Sequence, residues 1–343
     1  MSRSTRPAGV EALLVLPHLR VQNANAISSA LTHGFPSITA FTGLMWALQR
    51  KLTVAGIPLK LEGVGVICHR HEEQVTDGYV KTFRLTRNPL DGSGQSAAIV
   101  EEGRMHLDIT LMFLAKQAPE NATDAQRAEW ASRIGDIVAH MRVAGGTLLP
   151  ASLPNRRTRP WMAVLNESRE EAHREFVGWR RQWLPGYALV GRDDLLKDRC
   201  KERPDATLID AWLHAARFNH EPSTDKMPER DGPAGSAGKL RWADPARQKG
   251  GGWTVPIPVG YAALTKPLPA GSVANARDAS IPFAFVESIY AFGQWISPHR
   301  LKDVHELFWK PETDLAKGVY RCRSGYAHES AVAPDGSEFP DFD

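Results

Sequence analysis

The stretch from Ala12 to Leu52, ALLVLPHLRVQNANAISSALTHGFPSITAFTGLMWALQRKL, constrains this chain most, because three structural grammars follow one another in it. An apolar run, Leu13 to Leu16, reads as a buried strand. An amide- and hydroxyl-rich loop follows, holding Asn23, Asn25, Ser28, Ser29, Thr32 and His33, and it closes on Gly34-Phe35-Pro36. From Ile38 the apolar residues recur at Phe41, Leu44, Met45, Leu48 and Leu52, the three-to-four spacing of a helix packed on a core. A polar loop between a strand end and a helix start has unpaired backbone N–H groups and outward-pointing amides, which suits phosphates and base edges.

The same alternation continues. Leu59 to Cys68 reads as a buried strand, and Lys81 to Leu114 as a strand-rich region divided by the turn signal Asn88-Pro89-Leu90-Asp91-Gly92. A long hairpin projecting from the sheet near residues 76–114 would follow. Thr123 with Gln126 forms a capping box, Trp130, Ile134, Ile137, Val138 and Met141 give one apolar helix face, Gly145 stops the helix, and a strand starts at Thr147. Strand, helix, strand, hairpin, helix, strand is the order of a ferredoxin-like β-α-β-β-α-β unit with an enlarged middle hairpin. The expectation is therefore an α+β fold with a ferredoxin-like core over residues 1–150.

Beyond Pro150, residues 151–325 add helices and a strand. Helices are expected from Ser168, boxed by Glu171, to Trp183, from about Asp205 to Phe218, from Phe283 to Ile296, and from Pro298 to Trp309 with Ser297 as cap. Residues 221–252 read as a Gly/Pro-rich mobile linker, Trp253 to Leu264 as a Pro-interrupted edge strand, and 326–343 as a polar tail.

At 343 residues the chain can bury a large core. No run approaches the roughly 20 apolar residues of a membrane span, and MSRSTRPAG lacks a signal-peptide core, so a cytoplasmic location with no membrane partner is expected. Cys68, Cys200 and Cys322 are too scattered for a disulfide framework, and no CxxC spacing offers a zinc site. No metal and no cofactor are expected. A net charge of +3 means that any nucleic-acid contact must be a local patch.

Several residues qualify for such a patch. Asn23 and Asn25 can read base edges, or cap their own loop as Asx turns do. Ser28 lies in the same loop. His33 can stack on a base, while Phe35 serves as a hydrophobic staple for the helix. In KTFRLTRNPL, Arg84 faces opposite to Arg87, and Arg87 with Asn88 lies next to the turn. Arg104 has Glu101 and Glu102 beside it, the setting of a local ion pair. Gly145 and Gly146 read first as a helix C-cap, with Arg142 before them complementing the helix dipole or a phosphate. Arg156, Arg157 and Arg159 form the densest cationic run. His299 and Arg300, in an expected first helical turn, oppose the dipole and so call for a phosphate or an acidic partner. His18, His33, His69, His71 and His140 are available as general bases, yet none pairs with a Tyr, Ser or Lys at an interpretable spacing, and no carboxylate cluster points to two-metal chemistry.

Seven blocks carry a family resemblance: LPHLRVQNANAISSALTHGFPSITAFTG, LEGVGVICHRHE, LTRNPLDGSGQSAAIVEEGRMHLDITL, MRVAGGTLLP, WLPGYALV, VPIPVGYAAL and FVESIYAFGQWISPHR. Spread over most of the chain, they closely resemble the tail-end RNA-binding subunits, the second of the Csy subunits, of type I-F CRISPR-Cas surveillance complexes. The resemblance implies a member of the Cas-five group of the RAMP superfamily, whose RRM-like ferredoxin fold carries a hairpin thumb reaching the adjacent backbone subunit. It implies partners as well: the 5′ handle of a CRISPR RNA, a large subunit, and target double-stranded DNA through the assembled complex. A glycine-rich loop near Gly145 and Gly146 would let RNA approach the backbone. RNA cleavage in these systems falls to another subunit, so a non-catalytic role is expected here. An endoribonuclease and a purely protein-binding scaffold are the alternatives.

Overall fold

A computed structural model of the chain describes residues 10–87, 90, 92–96, 98–150, 155, 157–217, 219, 221–223, 241–244 and 252–326. In chain order, β1 (Val10–Asn25) is followed by a small hairpin, β2 (Ile27–Ser29) and β3 (Thr32–His33), then α1 (Ile38–Val54) and β4 (Lys60–Glu73). A separate three-stranded sheet, β5 (Val75–Thr76), β6 (Thr82–Arg87) and β7 (Ile99–Glu102), leads into β8 (Arg104–Ala118). Next come α2 (Asp124–Ala139), β9 (Arg142–Val143), β10 (Gly146–Leu149) and β11 (Trp161–Val164). The remainder comprises α3 (Arg169–Arg180), β12 (Tyr187–Gly191), α4 (Asp193–Glu202), α5 (Leu208–Ala216), the pair β13 (Glu221–Ser223) and β14 (Arg241–Ala243), then β15 (Trp253–Ala263), β16 (Val286–Ile296), β17 (Trp309–Asp314) and β18 (Val319–Ser324). The fold is mixed α and β, with a large antiparallel sheet and five α-helices among the described residues.

At the centre of that sheet the strands run β4, β8, β1, β10, each antiparallel to its neighbour. β8 lies along one edge of β4. The other edge is shared, Val64 facing Trp309 of β17 and Ile67 facing Ala188 of β12. Because β17, β18, β15, β16 and β12 also pair in succession, this half of the sheet closes on itself through β4. The Trp309 indole N–H donates to the Leu189 carbonyl at 2.9 Å, a bond across that ring.

Both faces of the central strands are covered over half their length, so they read as continuous apolar runs rather than alternating ones. On one face Leu14, Leu16, Leu111 and Phe113 pack with Phe41 and Leu48 of α1 and Ile134 and Val138 of α2. On the other, Leu13, Val15, Met112 and Leu114 pack with Phe176 of α3, Trp183, Leu301 and Phe308. Each fully buried leucine here contributes about 1.5–3 kcal/mol by leaving water. Ser37 caps α1, accepting from the Thr39 N–H, while Phe35 stacks on Phe41 at 5.7 Å as the expected staple. The Thr123–Gln126 capping box of α2 forms with both of its hydrogen bonds.

Five expectations are corrected. The segment from Phe283 to Ile296 is strand, not helix: Val286–Ile296 pairs along its length with β15 and, at its end, with β12. The segment from Pro298 to Trp309 is two short 3₁₀ turns, Pro298–Arg300 and Val304–Leu307, before β17 begins. Ser168 makes no capping bond, since Asn166 takes its N–H and also donates to Glu171. Gly145 does not stop a helix: α2 ends at Ala139 with His140 as cap, and Gly145 turns the β9–β10 hairpin. The loop expected after Leu16 is also mostly strand, β1 continuing to Asn25.

Candidate nucleic-acid interface

Past Leu16 the second face of the central sheet loses its cover and becomes polar. Two bulges mark the change. Pro17 and His18 on β1 together oppose Thr110 of β8, and His69 is the extra residue between Cys68 and Arg70 on β4. Bulges re-aim side chains, and here the two bring the His18 and His69 rings together beside Thr110. The Thr110 hydroxyl lies 2.8 Å from His69 Nε2 and accepts the His18 N–H at 3.2 Å. His69 Nδ1 donates to the Pro185 carbonyl at 2.7 Å, and His18 Nδ1 pairs with Asp108 at 3.0 Å. Burial lowers the pKa of His69, with the nearby His18 adding to the effect. Among the described residues no group of three or more His, Cys, Asp or Glu is arranged to hold a metal.

Further along β1 a third bulge sets Gln22 and Asn23 against His106. Asn23 takes the left-handed conformation, φ +57°, and its N–H donates to His106 Nδ1 at 3.2 Å. Buried Val21 and Ala24 anchor the strand on either side, leaving Gln22 and Asn23 exposed. Next to them the β9–β10 hairpin turns through Ala144 (φ +48°) and Gly145 (φ +77°), two positive values in succession as a two-residue hairpin turn requires. The Ala144 carbonyl accepts the Asn25 N–H at 2.8 Å, which ties this turn to the end of β1.

A cleft of about 370 Å³ opens between these elements and the β6–β7 hairpin. Gln22, Asn23, Gln74, Arg84, Glu102, Arg104, Arg142, Gly145 and Thr147 line it. Three guanidiniums face one carboxylate, a local excess of +2 on a chain whose whole excess is +3. Arg104 is clamped on Glu102 by two bonds, Nε at 3.3 Å and Nη2 at 3.1 Å, the local ion pair expected from sequence. Arg142 Nη1 donates to the Gly145 carbonyl at 3.3 Å and to Thr147 Oγ1 at 3.2 Å, so its head is held at the cleft wall. Arg84 stands exposed across from Glu102 in the β6–β7 register.

Of the residues singled out from sequence, Asn23, Arg84, Arg142 and Gly145 therefore meet in one cleft. Gly146 supports it from below: a Cβ there would lie 2.6 Å from Val21 Cγ1 and 2.8 Å from the Gln22 carbonyl. Others have different work. Asn25 closes an Asx turn on Ile27, its Nδ2 donating to the Ile27 carbonyl at 2.7 Å and its Oδ1 accepting the Ile27 N–H. Ser28 bonds to Thr32 inside the β2–β3 hairpin, and the His33 ring packs on Phe83 at 4.6 Å. His299 and Arg300 lie in a 3₁₀ turn beside α3 and do not line the cleft; the His299 ring bonds Ser297 at 2.7 Å. Arg87 ends β6, while Asn88 and Arg156 lie outside the described residues, as do most of 221–252 and all of 327–343.

Gln22, Gln74 and Thr147 were not singled out from sequence. The bulge at Gln22–Asn23, the β10 register and the bond from the Gln74 N–H to the Arg104 carbonyl at 2.8 Å bring them to the cleft, and none of these leaves a motif. The facing of His18 and His69 was equally hidden, each residue sitting where a strand breaks its alternation.

The chain resembles known proteins along nearly its whole length. A family model described as "CRISPR-associated protein (Cas_Csy2)" matches residues 14–322. A protein named "CRISPR-associated protein Csy2" from Pseudomonas aeruginosa (strain UCBPP-PA14) is 39% identical over 335 residues, covering 94% of this chain and 98% of that relative.

Proposed function

This chain belongs to the Csy2 family of CRISPR-associated proteins, and we propose on that premise that it grips the 5′ handle of a CRISPR RNA as a non-catalytic subunit of a type I-F surveillance complex. The observation that carries this reading is the convergence of Asn23, Arg84, Arg142 and Gly145, from three separate segments, on one cleft with a charge excess of +2. Guanidiniums on an extended wall suit a sugar-phosphate backbone, and an exposed amide held out by a strained bulge suits a base edge.

The core is a ferredoxin-like RAMP unit on this reading. Its support is the element order β1, α1, β4, β8, α2, β10 together with the spatial order β4, β8, β1, β10, in which the first and third strands are central. The β6–β7 hairpin serves as the thumb toward the adjacent backbone subunit, and its exposed Leu85 and Ile99 give it an apolar contact surface. The large subunit is the partner at the tail of the complex, target DNA is met through the assembly, and the work is done in the cytoplasm.

The test is to purify the chain with its large subunit and measure binding to handle RNA against a scrambled sequence. Selective binding of RNA that stays intact is the expected result. Equal binding to both would reduce the role to a general grip or a scaffold, and cleaved RNA would favour an endoribonuclease, for which the Asp108-held His18 supplies a candidate base.

A further inference from the structure

α5 reads LIDAWLHAA, in which only Asp210 and His214 are polar. A helix apolar on nearly all sides belongs in an interior, yet this one is covered on one side only. There Ala211 and Trp212 are buried with Phe292 of β16, and the Trp212 indole N–H donates to the Ala291 carbonyl at 3.1 Å. Leu208, Ile209 and Leu213 stay 45%, 44% and 41% exposed, and Ile209 and Leu213 are neighbours one turn apart.

Cations border this exposed side. Arg203, at the end of α4, acts electrostatically on both Asp210 and His214 and so lies along α5. Arg217 caps the helix C-terminus and is held in place by Asn219, its Nε donating to Oδ1 at 2.7 Å. The pKa of His214, next to Leu213, is lowered first by burial and then by Arg203, Arg217 and Arg199, with Glu221 opposing them. The Asp210 carboxylate is turned back to Thr207 in the capping box of the helix.

Residues 327–343, AHESAVAPDGSEFPDFD, have the complementary character: five carboxylates, no Lys or Arg, and the rings of Phe339 and Phe342. They carry −5 within a whole-chain charge of +3, which leaves +8 on the rest. They also start close by. The Tyr326 N–H donates to Ser324 Oγ at 3.2 Å, and Ser324 lies against Gly191, where an added Cβ would come 2.8 Å from the Ser324 Cβ. Arg192, the next residue, caps α4. α4 is ten residues, about 15 Å, and packs beside α5. An unfolded chain as long as the segment from Tyr326 to Phe339 spans roughly 20 Å root-mean-square, enough to bring the ring to α5. Residues 224–240, between β13 and β14, fit the surface less well, since three cations there balance three carboxylates and no aromatic ring is present.

We propose that residues 327–343 fold back on the α4–α5 corner, seating a phenylalanine ring on Ile209 and Leu213 and placing carboxylates beside Arg203 and Arg217. The tail is then an intrachain cover for an apolar, cationic surface, and any partner using that surface must displace it. The inference is independent of the RNA-gripping reading.

The experiment digests the full chain briefly at low salt with a glutamate-specific protease and follows cleavage after Glu338 by mass. Each rate is divided by that of the same site in a free peptide of residues 327–343. A tail docked four-fifths of the time is cut about fivefold more slowly than the peptide, and at least this protection is expected. Ile209→Asp with Leu213→Asp should return the ratio to about one. Should that variant fail to fold, Phe339→Ser with Phe342→Ser, which alters no described residue, should do the same against its own peptide. A wild-type tail cut as fast as the peptide, or protection that survives the phenylalanine changes, overturns the inference. So does protection that grows with protein concentration, since the tail would then cover a second copy. Protection lost in Arg142→Ala but kept in the α5 variant would place the tail in the RNA cleft and overturn it as well.

Discussion

His18 and His69 stack with ring centroids 4.2 Å apart and planes 26° from parallel, one from a bulge on β1 and the other from a bulge on β4. Neither strand needs a histidine there for packing. Thr110 between them joins both to the central strand β8, and Asp108 and Pro185 take their outer N–H groups. The result is a polar knot at the boundary between the buried and open halves of the sheet.

That knot gives the fold a dependence on acid. Burial holds the His69 pKa below its ordinary 6.5, so the unfolded chain takes up this proton first as pH falls. The stability contributed by neutral His69 is full above 6.5 and is lost as pH drops from 6.5 toward the lower folded value. Denaturant unfolding followed across this range should show a shallower decline for His69→Gln than for the wild type. An unchanged slope would mean that His69 titrates alike in both states.

Arg142→Ala should weaken RNA binding without sequence preference and lower the slope of log affinity against log salt by about 1, the signature of one lost phosphate contact. Its side chain is exposed and bonds only to its own hairpin among the contacts described, so the melting temperature should move little. A full salt slope in the variant would remove Arg142 from the RNA.

Two adjacent glycines should respond differently. Gly145→Ala meets no atom within 4 Å and suffers only its φ of +77°, costing about 1 kcal/mol. Gly146→Ala drives a methyl into Val21 and into the backbone of Gln22 and Ala24, at 2.6–2.8 Å. About 2–3 kcal/mol is expected for such overpacking. Thermal melts of the two variants check the order, and Gly146→Ala should also lose RNA affinity because it displaces the Gln22–Asn23 bulge.

Thiol chemistry should separate the cysteines. Burial pushes the Cys68 thiol up to about 12 and raises that of Cys322 as well. Iodoacetamide at neutral pH should modify half-exposed Cys200 in the native protein and reach the other two only after unfolding. Rapid native labelling of Cys68 would contradict its buried position.

Much of the fold was legible where one local signal agreed with the tertiary result. The Thr123–Gln126 box, the α1 stripe from Ile38 to Leu52 and the pairing of β6 with β7 needed no distant partner to be read. The segment Phe283–Ile296 was misread because Ile289, Phe292 and Ile296 keep helical spacing by chance, while its actual state is set by β15 and β12, which no local signal reveals. The site followed the same rule. Arg84, Arg142, Asn23 and Gly145 stood out by residue type, but their meeting depends on bulges and on the register between β1 and β10. Gly145 was given the wrong structural duty and still turned up at the cleft.

The abrupt loss of cover on one face of the central sheet bears on how this protein can diverge. Along β1 and β8 a single strand changes its obligations midway, at Leu16 and Thr110. Before that point both faces of the strand forbid polar replacements; after it, one face is released from that constraint. Substitution tolerance should therefore rise in a step along each strand and not merely alternate. The buried half keeps the shape, and the exposed half can drift at little cost to folding.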